Sequence, residues 1–594
     1  MRIKWFSFIR VTGLLLVLLY HFFKQAFPGG FIGVDIFFTF SGYLITALLI
    51  DEYTRSKAID LLGFFKRRFY RIVPPLVLMV LISMPFTFLI RRDFVSSIGS
   101  QIAAALGFTT NLYEIFTGGN YESQFIPHLF VHTWSLAIEV HFYVFWGFLL
   151  WFLGKRVANH KQFRGLVFLI ASGLFLLSFL SMFIRAFFVS NFSLIYFSTF
   201  THIFPFFLGA VLATLTGVRE TTGRFKKNVQ LWPTKKVLIV MAGSAGFLLL
   251  LSLLLDFNHL LTYLFGFLLA SLFTAVMIYT ARVLNDKTPN LEEPRFITFL
   301  SDISYSVYLF HWPFYIIFSQ LMPNWLAVLF TLVFSVAFAA LSYYIIEPYI
   351  AGKKSDFFGL TLDLSPYQKW IYGGFTLLSV ITLAISLTAP KVGRFETNLL
   401  VDSLNQADNN MNRTHTLAAG DASAISNVSI IGDSVALRAS STFTEILPEA
   451  QLDAAVSRNF TAAYDIFQNQ IDSNTLAKTV VIAVGVNSVG GYQDSLQKFI
   501  DGLPDGHRLI FVTPYNAKDG RIPELRNYEL DLAQKYAFVT IADWYETAIA
   551  HPEIWNGSDG VHYSDSSTEG AKLYVQTIQD AIQKAAKNPA KGDA

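Results

Sequence analysis

The chain has 594 residues, a hydrophobic content of 53%, aromatic residues at 16% including 60 Phe, and a formal net charge of +3. That apolar bias excludes an ordinary soluble enzyme and reads as a membrane protein, while the small net charge gives no case for nucleic-acid binding. The absence of cysteine excludes disulfides and thiolate catalysis, so an exported part must hold together by packing alone.

Up to about residue 389 the chain is a succession of apolar stretches long enough to cross a ~30 Å hydrocarbon core, and residues 391–594 contain none. The candidate spans are 8–24, 31–50, 72–90, 132–153, 166–187, 196–216, 237–255, 259–281, 300–319, 324–347 and 371–389, eleven in all. The first has the look of a signal sequence, but Arg10 lies within its start and no small-residue cleavage site follows Phe23. It is therefore read as a retained helix. Basic residues recur in alternate loops: Arg55 to Arg71, Lys155 to Arg164, Arg219 to Lys236, Arg282 to Arg295, and Lys353 to Lys369. By the positive-inside rule these loops are cytoplasmic, which puts the N-terminus inside and the C-terminal part outside. The domains then read as 1–390 in the membrane, a polar linker at 391–426 rich in Asn, Asp, Ser, Thr and Ala, and an extracellular domain at 427–594.

Ionisable groups inside a span are costly and mark function by default. Arg10 and His21 lie eleven residues apart in the first span. At ~100° and 1.5 Å per residue that returns them to within ~20° of one face, ~16 Å apart along the axis. A permanent cation would then face the phosphates of an acyl-CoA and a titratable base its thioester. The alternative is that Arg10 snorkels to the interface and His21 satisfies a neighbour.

Further along come Gly33-Val34-Asp35-Ile36-Phe37-Phe38-Thr39-Phe40-Ser41-Gly42-Tyr43, the basic run Lys66-Arg67-Arg68-Phe69-Tyr70-Arg71, His132-Thr133-Trp134-Ser135 leading to Glu139, and Ser304 to Pro313 with His311. With Arg10 and His21, these ordered motifs resemble the acyltransferase 3 family of integral membrane transferases over residues 1–350. The resemblance implies transfer of acetyl from cytoplasmic acetyl-CoA toward carbohydrate, with acetyl-CoA as a substrate and no bound cofactor or metal. It implies Arg10 and His21 as the active pair and Arg67, Arg68 and Arg71 as contacts to CoA phosphates, although a basic run also sets topology. Asp35, His132, Glu139 and His311 follow as pathway candidates; His132 and Glu139, seven residues apart, share a helix face. Many relatives carry Arg where this chain has His202, which leaves the role of His202 open.

In the exported part Val428–Ile431 reads as a buried strand running into Gly432-Asp433-Ser434, followed by a helix over Val435–Leu447 that Pro448 ends. Val480–Val484, Leu509–Val512 and Phe538–Ala542 are further strands, with helical pattern at 492–501 and 525–535. Alternating strand and helix predict a parallel sheet covered on both faces, with function at the carboxyl ends of its strands. Ser434 falls at such an end. As a nucleophile it needs a base and an orienting carboxylate, which His562 and Asp559 supply from one turn. Gly485 and Asn487 offer oxyanion donors at the same sheet edge. Gly-Asp-Ser, Gly-x-Asn and Asp-x-x-His in this order resemble the SGNH hydrolase family over residues 427–585, an α/β/α fold. That family's separate glycine block has no clear counterpart at Val456-Ser457-Arg458-Asn459, and Asp433 reads as structural. Trp544, Tyr545 and Trp555 are either sugar-stacking surfaces or core.

The fusion of a polytopic membrane domain to an SGNH-like domain resembles the peptidoglycan O-acetyltransferases along nearly the whole chain. It implies acetyl passed across the membrane and delivered, through a serine ester on Ser434, to a cell-wall sugar, with the C6 hydroxyl of N-acetylmuramic acid as the expected acceptor. Another surface polysaccharide, a membrane-anchored esterase, and a glycan transporter with a binding tail remain open alternatives. The oligomeric state is not readable.

Overall fold

The computed structural model describes residues 3–593 other than 118–125, 158, 190, 219–220, 358–359, 419–426, 488–490, 518, 556–557 and 565–567. Arg219 of the third basic loop and residues 419–426 of the expected linker lie outside the described residues. The chain divides into two compact units, Met1–Lys391 and Val392–Ala594.

The first unit is helical. Among the described residues, nine helices are long and apolar enough to cross a membrane, and Phe6–Phe22 is a shorter apolar one. The helix Arg295–Ser319 covers the remaining expected span, so each of the eleven stretches contains a helix. Apolar side chains cover the outside as well as the core: on the helix His160–Arg185, Leu169 is 65% exposed, and Leu176, Leu177 and Ile184 are more than half exposed. A face of that kind has its partner in hydrocarbon, and the protein is a multi-pass membrane protein. Two helices, Gly33–Ser56 and Phe204–Thr216, cross in backbone contact. A Cβ added at Gly42 would stand 2.0 Å from the Phe206 carbonyl oxygen, and one at Gly209 2.0 Å from that of Thr39. Only glycine at both positions permits that approach, the small-residue packing typical of membrane helices.

The second unit holds a five-stranded sheet. Its strands are β1 Val428–Gly432, β2 Ala450–Ala454, β3 Thr479–Ala483, β4 Arg508–Val512 and β5 Val539–Ala542. All pairings are parallel, in the order β2-β1-β3-β4-β5. β1, β3 and β4 are buried on both faces, which is why they read as continuous apolar runs. On one face Ile431, Val480, Ile482, Leu509 and Phe511 pack with Phe467 and Phe499 of the helices Phe460–Asp472 and Tyr492–Gly502 and with Leu525 of Ile522–Lys535. The helix expected over 435–447 is broken at Ala439 into Ser434–Arg438 and Ser440–Ile446.

The segment 391–426 departs from the expected linker, because Arg394–Ala418 is a helix of the second unit. It docks on the open edge of the sheet. Gln406 pairs with β2 as a strand would, donating from Nε2 to the Ala454 carbonyl and accepting from the Ala454 N–H, both at 3.0 Å. Asn410 donates to the Leu452 carbonyl at 3.3 Å. Polar side chains that looked like linker composition thus satisfy backbone groups at an otherwise unpaired edge.

Candidate active site

In the order β2-β1-β3-β4-β5 the chain leaves β1 toward one side and returns on the other, a switch point where the carboxyl ends of β1 and β3 open a crevice. Asp433 and Ser434 follow β1, and Gly485 and Asn487 follow β3. Asp433 accepts the Val435 N–H at 2.9 Å. Its carboxylate also takes backbone N–H groups of Val486 and Ala436. It therefore ties the Ser434 turn to the Gly485-Val486-Asn487 block. Burial pushes its carboxyl up to about 7 against the pull of those N–H groups.

His562 Nε2 lies 2.8 Å from Ser434 Oγ, and His562 Nδ1 donates to Asp559 Oδ2 at 2.8 Å. Asp559 Oδ1 accepts the N–H groups of His562 at 2.7 Å and Val561 at 2.9 Å. Burial raises the Asp559 carboxyl, but the hydrogen bond and charge of His562 and the two N–H groups outweigh it and hold it at about 2. The ionised carboxylate keeps the proton on Nδ1, so Nε2 presents its lone pair to the serine hydroxyl. Ser434 is 0% and His562 1% exposed. Part of that cover is Phe395, whose ring centroid lies 4.9 Å from that of His562. Arg438 stands over the rings of both Phe395 and Tyr563. Tyr563 in turn donates to the Val435 carbonyl at 3.0 Å.

At the oxyanion candidates, Gly485 has φ +149°, and a Cβ there would stand 2.9 Å from Pro514 Cγ. Asn487 Nδ2 is 3.5 Å from the Arg458 carbonyl. The Arg458 guanidinium binds the Gly432 carbonyl at 3.2 Å and Asp453 Oδ1 at 2.6 Å. Ser457, in the interval where no glycine block was found, has φ 59°. The left-handed turn is present without the residue that would announce it, because serine adopts that conformation seldom. Of the three aromatic candidates Trp544 is core, 2% exposed, while Tyr545 and Trp555 are half-buried and meet Tyr515. Phe395 and Arg438 went unrecognised in the sequence, where no motif marks them.

In the membrane unit the candidate residues divide into three groups. Arg10, Arg68, Arg71 and Glu139 line a cavity of about 140 Å³, with Ser41 and Tyr308. Glu139 accepts from Ser41 Oγ at 2.7 Å and from the Tyr143 hydroxyl. Arg71 is paired with Glu347 at 2.9 Å and donates to the Asp302 carbonyl at 3.2 Å. Arg68 Nε is buried with no hydrogen-bond partner among the described residues. Arg67 does not line the cavity; its half-exposed side chain sits 3.4 Å from Glu52.

The second group is Asp35 and His202, both fully buried, with His202 Nε2 3.1 Å from Asp35 Oδ1 and Nδ1 2.8 Å from the Tyr196 carbonyl. Both ring nitrogens face acceptors, so a proton is shared between Nε2 and the carboxylate in addition to the one on Nδ1. His202 is thus the hydrogen-bond partner of Asp35.

The third group is His21, His132 and His311. His21 Nδ1 is 2.8 Å from His311 Nε2, and His311 Nδ1 is 2.5 Å from the Tyr308 carbonyl. His132 Nε2 donates to the Leu309 carbonyl at 2.9 Å. That carbonyl is available because Pro313, four residues on inside the same helix, has no N–H to give it. His132 and Glu139 therefore belong to different groups, and Tyr308 joins the groups: it lines the cavity, its hydroxyl donates to the His132 carbonyl at 2.9 Å, and its own carbonyl holds His311.

The family model of the acyltransferase domain matches residues 3–347. The chain is similar along its length to the O-acetyltransferase OatA of Staphylococcus aureus strain NCTC 8325 / PS 47, at 27% identity over 604 residues, covering 96% of this chain and 95% of that one. The OatA of S. aureus strain MRSA252 is 28% identical with the same coverage. Among solved structures, the C-terminal catalytic domain of Streptococcus pneumoniae peptidoglycan O-acetyltransferase A, carrying a methylsulfonyl adduct, is 41% identical. It covers 28% of this chain and 97% of that one, with a TM-score of 0.27.

Proposed function

Because the chain belongs to the acyltransferase domain family, we propose that it is a peptidoglycan O-acetyltransferase that takes acetyl from cytoplasmic acetyl-CoA and delivers it to a cell-wall sugar hydroxyl outside. The similarity to the S. aureus O-acetyltransferases over 96% of the chain supports the overall activity. The basic residues of alternate loops support an inside N-terminus and an outside second unit. The cations Arg10 and Arg68 at the cavity support binding of the CoA phosphates there, and His21 on the same helix as Arg10 is the base of the first transfer.

In the second unit Ser434 Oγ attacks the acetyl carbonyl while His562 Nε2 takes its proton, and the departing donor group receives that proton. The resulting serine ester is attacked by a sugar hydroxyl, whose proton passes to His562 Nε2 and then to the released Ser434 Oγ. Gly485 and Asn487 donate to the tetrahedral oxyanion of each step, a contribution of about 3 kcal/mol per donor. The observation that carries this reading is the Ser434, His562 and Asp559 chain of two 2.8 Å hydrogen bonds at the sheet's switch point.

The test is mass spectrometry of the full-length protein in proteoliposomes with labelled acetyl-CoA and either muramic-acid-containing or plain glucosamine oligomers. Label on the Ser434 peptide in wild type, and labelled sugar in wild type but not in Ser434→Ala, is the expected result. Labelled sugar from Ser434→Ala at the wild-type rate would refute the serine ester.

A further inference from the structure

The histidine group of the membrane unit carries information about which nitrogen of His21 is basic. A carbonyl oxygen only accepts, so the 2.5 Å approach of His311 Nδ1 to the Tyr308 carbonyl places the His311 proton on Nδ1. A neutral His311 then carries its lone pair on Nε2, and that nitrogen lies 2.8 Å from His21 Nδ1. His21 must therefore donate from Nδ1, and in its neutral form its own lone pair is on Nε2. The series Tyr308 carbonyl, His311, His21 orients a base as a carboxylate orients the histidine of a serine triad, with a neutral imidazole in the carboxylate's place.

The surroundings hold this arrangement rigidly. His311 is fully buried, whereas His21 is partly exposed at the end of its helix, so His21 is the ring that substrate can meet. The two rings stack with centroids 5.0 Å apart, and Trp312 flanks His21 at 4.6 Å. The Tyr308 to His311 turn is braced from the other side, since His132 Nε2 donates to the Leu309 carbonyl and the Tyr308 hydroxyl to the His132 carbonyl. Neither Tyr308 nor Leu309 can move without breaking a buried hydrogen bond.

We propose that His311 is a positioning residue that locks His21 in its Nδ1–H form, so that His21 Nε2 is the nitrogen presented to the acyl-transfer step. The role assigned to His21 rests on the function proposed above; the hydrogen-bond series does not.

Three full-length variants in proteoliposomes test it. His311→Phe keeps an aromatic ring but offers no acceptor, and its kcat for acetyl-CoA-dependent transfer should fall at least ~100-fold with KM little changed, by analogy with the ~10⁴-fold cost of a misoriented histidine. His311→Gln can donate to the Tyr308 carbonyl and accept from His21, and should recover to within ~10-fold of wild type. His21→Ala should be inactive with the same donor. Wild-type rates in His311→Phe beside an inactive His21→Ala would overturn the proposal, as would equal losses in the Gln and Phe variants. Should wild type not use acetyl-CoA at all, the proposed function fails and the tautomer is read directly. ¹⁵N NMR of histidine-labelled wild type, assigned by difference from His21→Gln, should show the His21 proton on Nδ1. A proton on Nε2 would refute the inference.

Discussion

At the scale of single residues, two buried carboxylates beside Ser434 do opposite things. Asp559 is held at about 2 and is ionised wherever the enzyme works, so its effect is on the orientation of His562. Asp559→Asn would offer Nδ1 a partner with mixed donor and acceptor character and admit the wrong tautomer. Serine-ester formation should drop by about 10³–10⁴ with the acceptor KM little changed, measured by single-turnover acetylation. Asp433, pushed up to about 7 from an ordinary 3.8, holds a proton in the folded state that the unfolded chain has released. The folded form then binds more protons across that interval, so this group's contribution to stability declines as pH rises from about 4 to about 7. Asp433→Asn retains an acceptor for the Val435 N–H and should flatten that decline, which thermal melting of the second unit's transition at pH 5 and pH 7 would register. Equal slopes in variant and wild type would place the titration elsewhere.

At the scale of elements, the helix Arg394–Ala418 is where function and fold meet most unexpectedly. It is held on the edge of the sheet mainly by amide side chains, with Phe395 and Leu399 as buried apolar anchors. Phe395 covers His562, and the serine ester proposed at Ser434 would be at risk from water as much as it would be open to sugar. Excluding water is what separates a transferase from an esterase when the catalytic residues are the same. Phe395→Ala should raise the ratio of acetate released to sugar acetylated several-fold, followed by separating the two labelled products; an unchanged ratio would show that Phe395 is packing alone. In the first unit the Gly42 and Gly209 crossing sets the helix that bears Asp35. Gly209→Ala puts a methyl 2.0 Å from a backbone oxygen, and the helices must part at a cost of about 1–3 kcal/mol or more. A lowered melting temperature of the solubilised protein is expected, with Ser434 turnover of an activated acetyl ester preserved.

At the scale of the whole molecule, what was legible in the sequence follows from how locally each feature is encoded. The membrane helices announce themselves because every backbone group is satisfied within one apolar segment, so eleven stretches could be placed without knowing their neighbours. The Ser434, Gly485 and His562 blocks are short, distinctive and pinned to strand ends, and the sheet brings them together by a topology that alternating elements already imply. What was not legible depends on partners far away in the chain. β2 is a polar edge strand, Ala450-Gln451-Leu452-Asp453-Ala454, whose partner on its outer side is a helix with the composition of a linker. His21 and His311 are 290 residues apart, and no spacing rule connects them.

The same separation into two units makes the last expectation sharp. If the membrane unit loads acetyl and the second unit delivers it, the two catalytic histidines act in series on different donors. Full-length His21→Ala should lose transfer from acetyl-CoA yet keep transfer from an activated acetyl ester supplied to Ser434 directly, while Ser434→Ala should lose both. Each rate is read as labelled oligosaccharide per enzyme in proteoliposomes. A His21→Ala variant that still transfers from acetyl-CoA would mean that Ser434 takes its acetyl from CoA without help from the histidine group, and the buried series from Tyr308 to His21 would then be architecture alone.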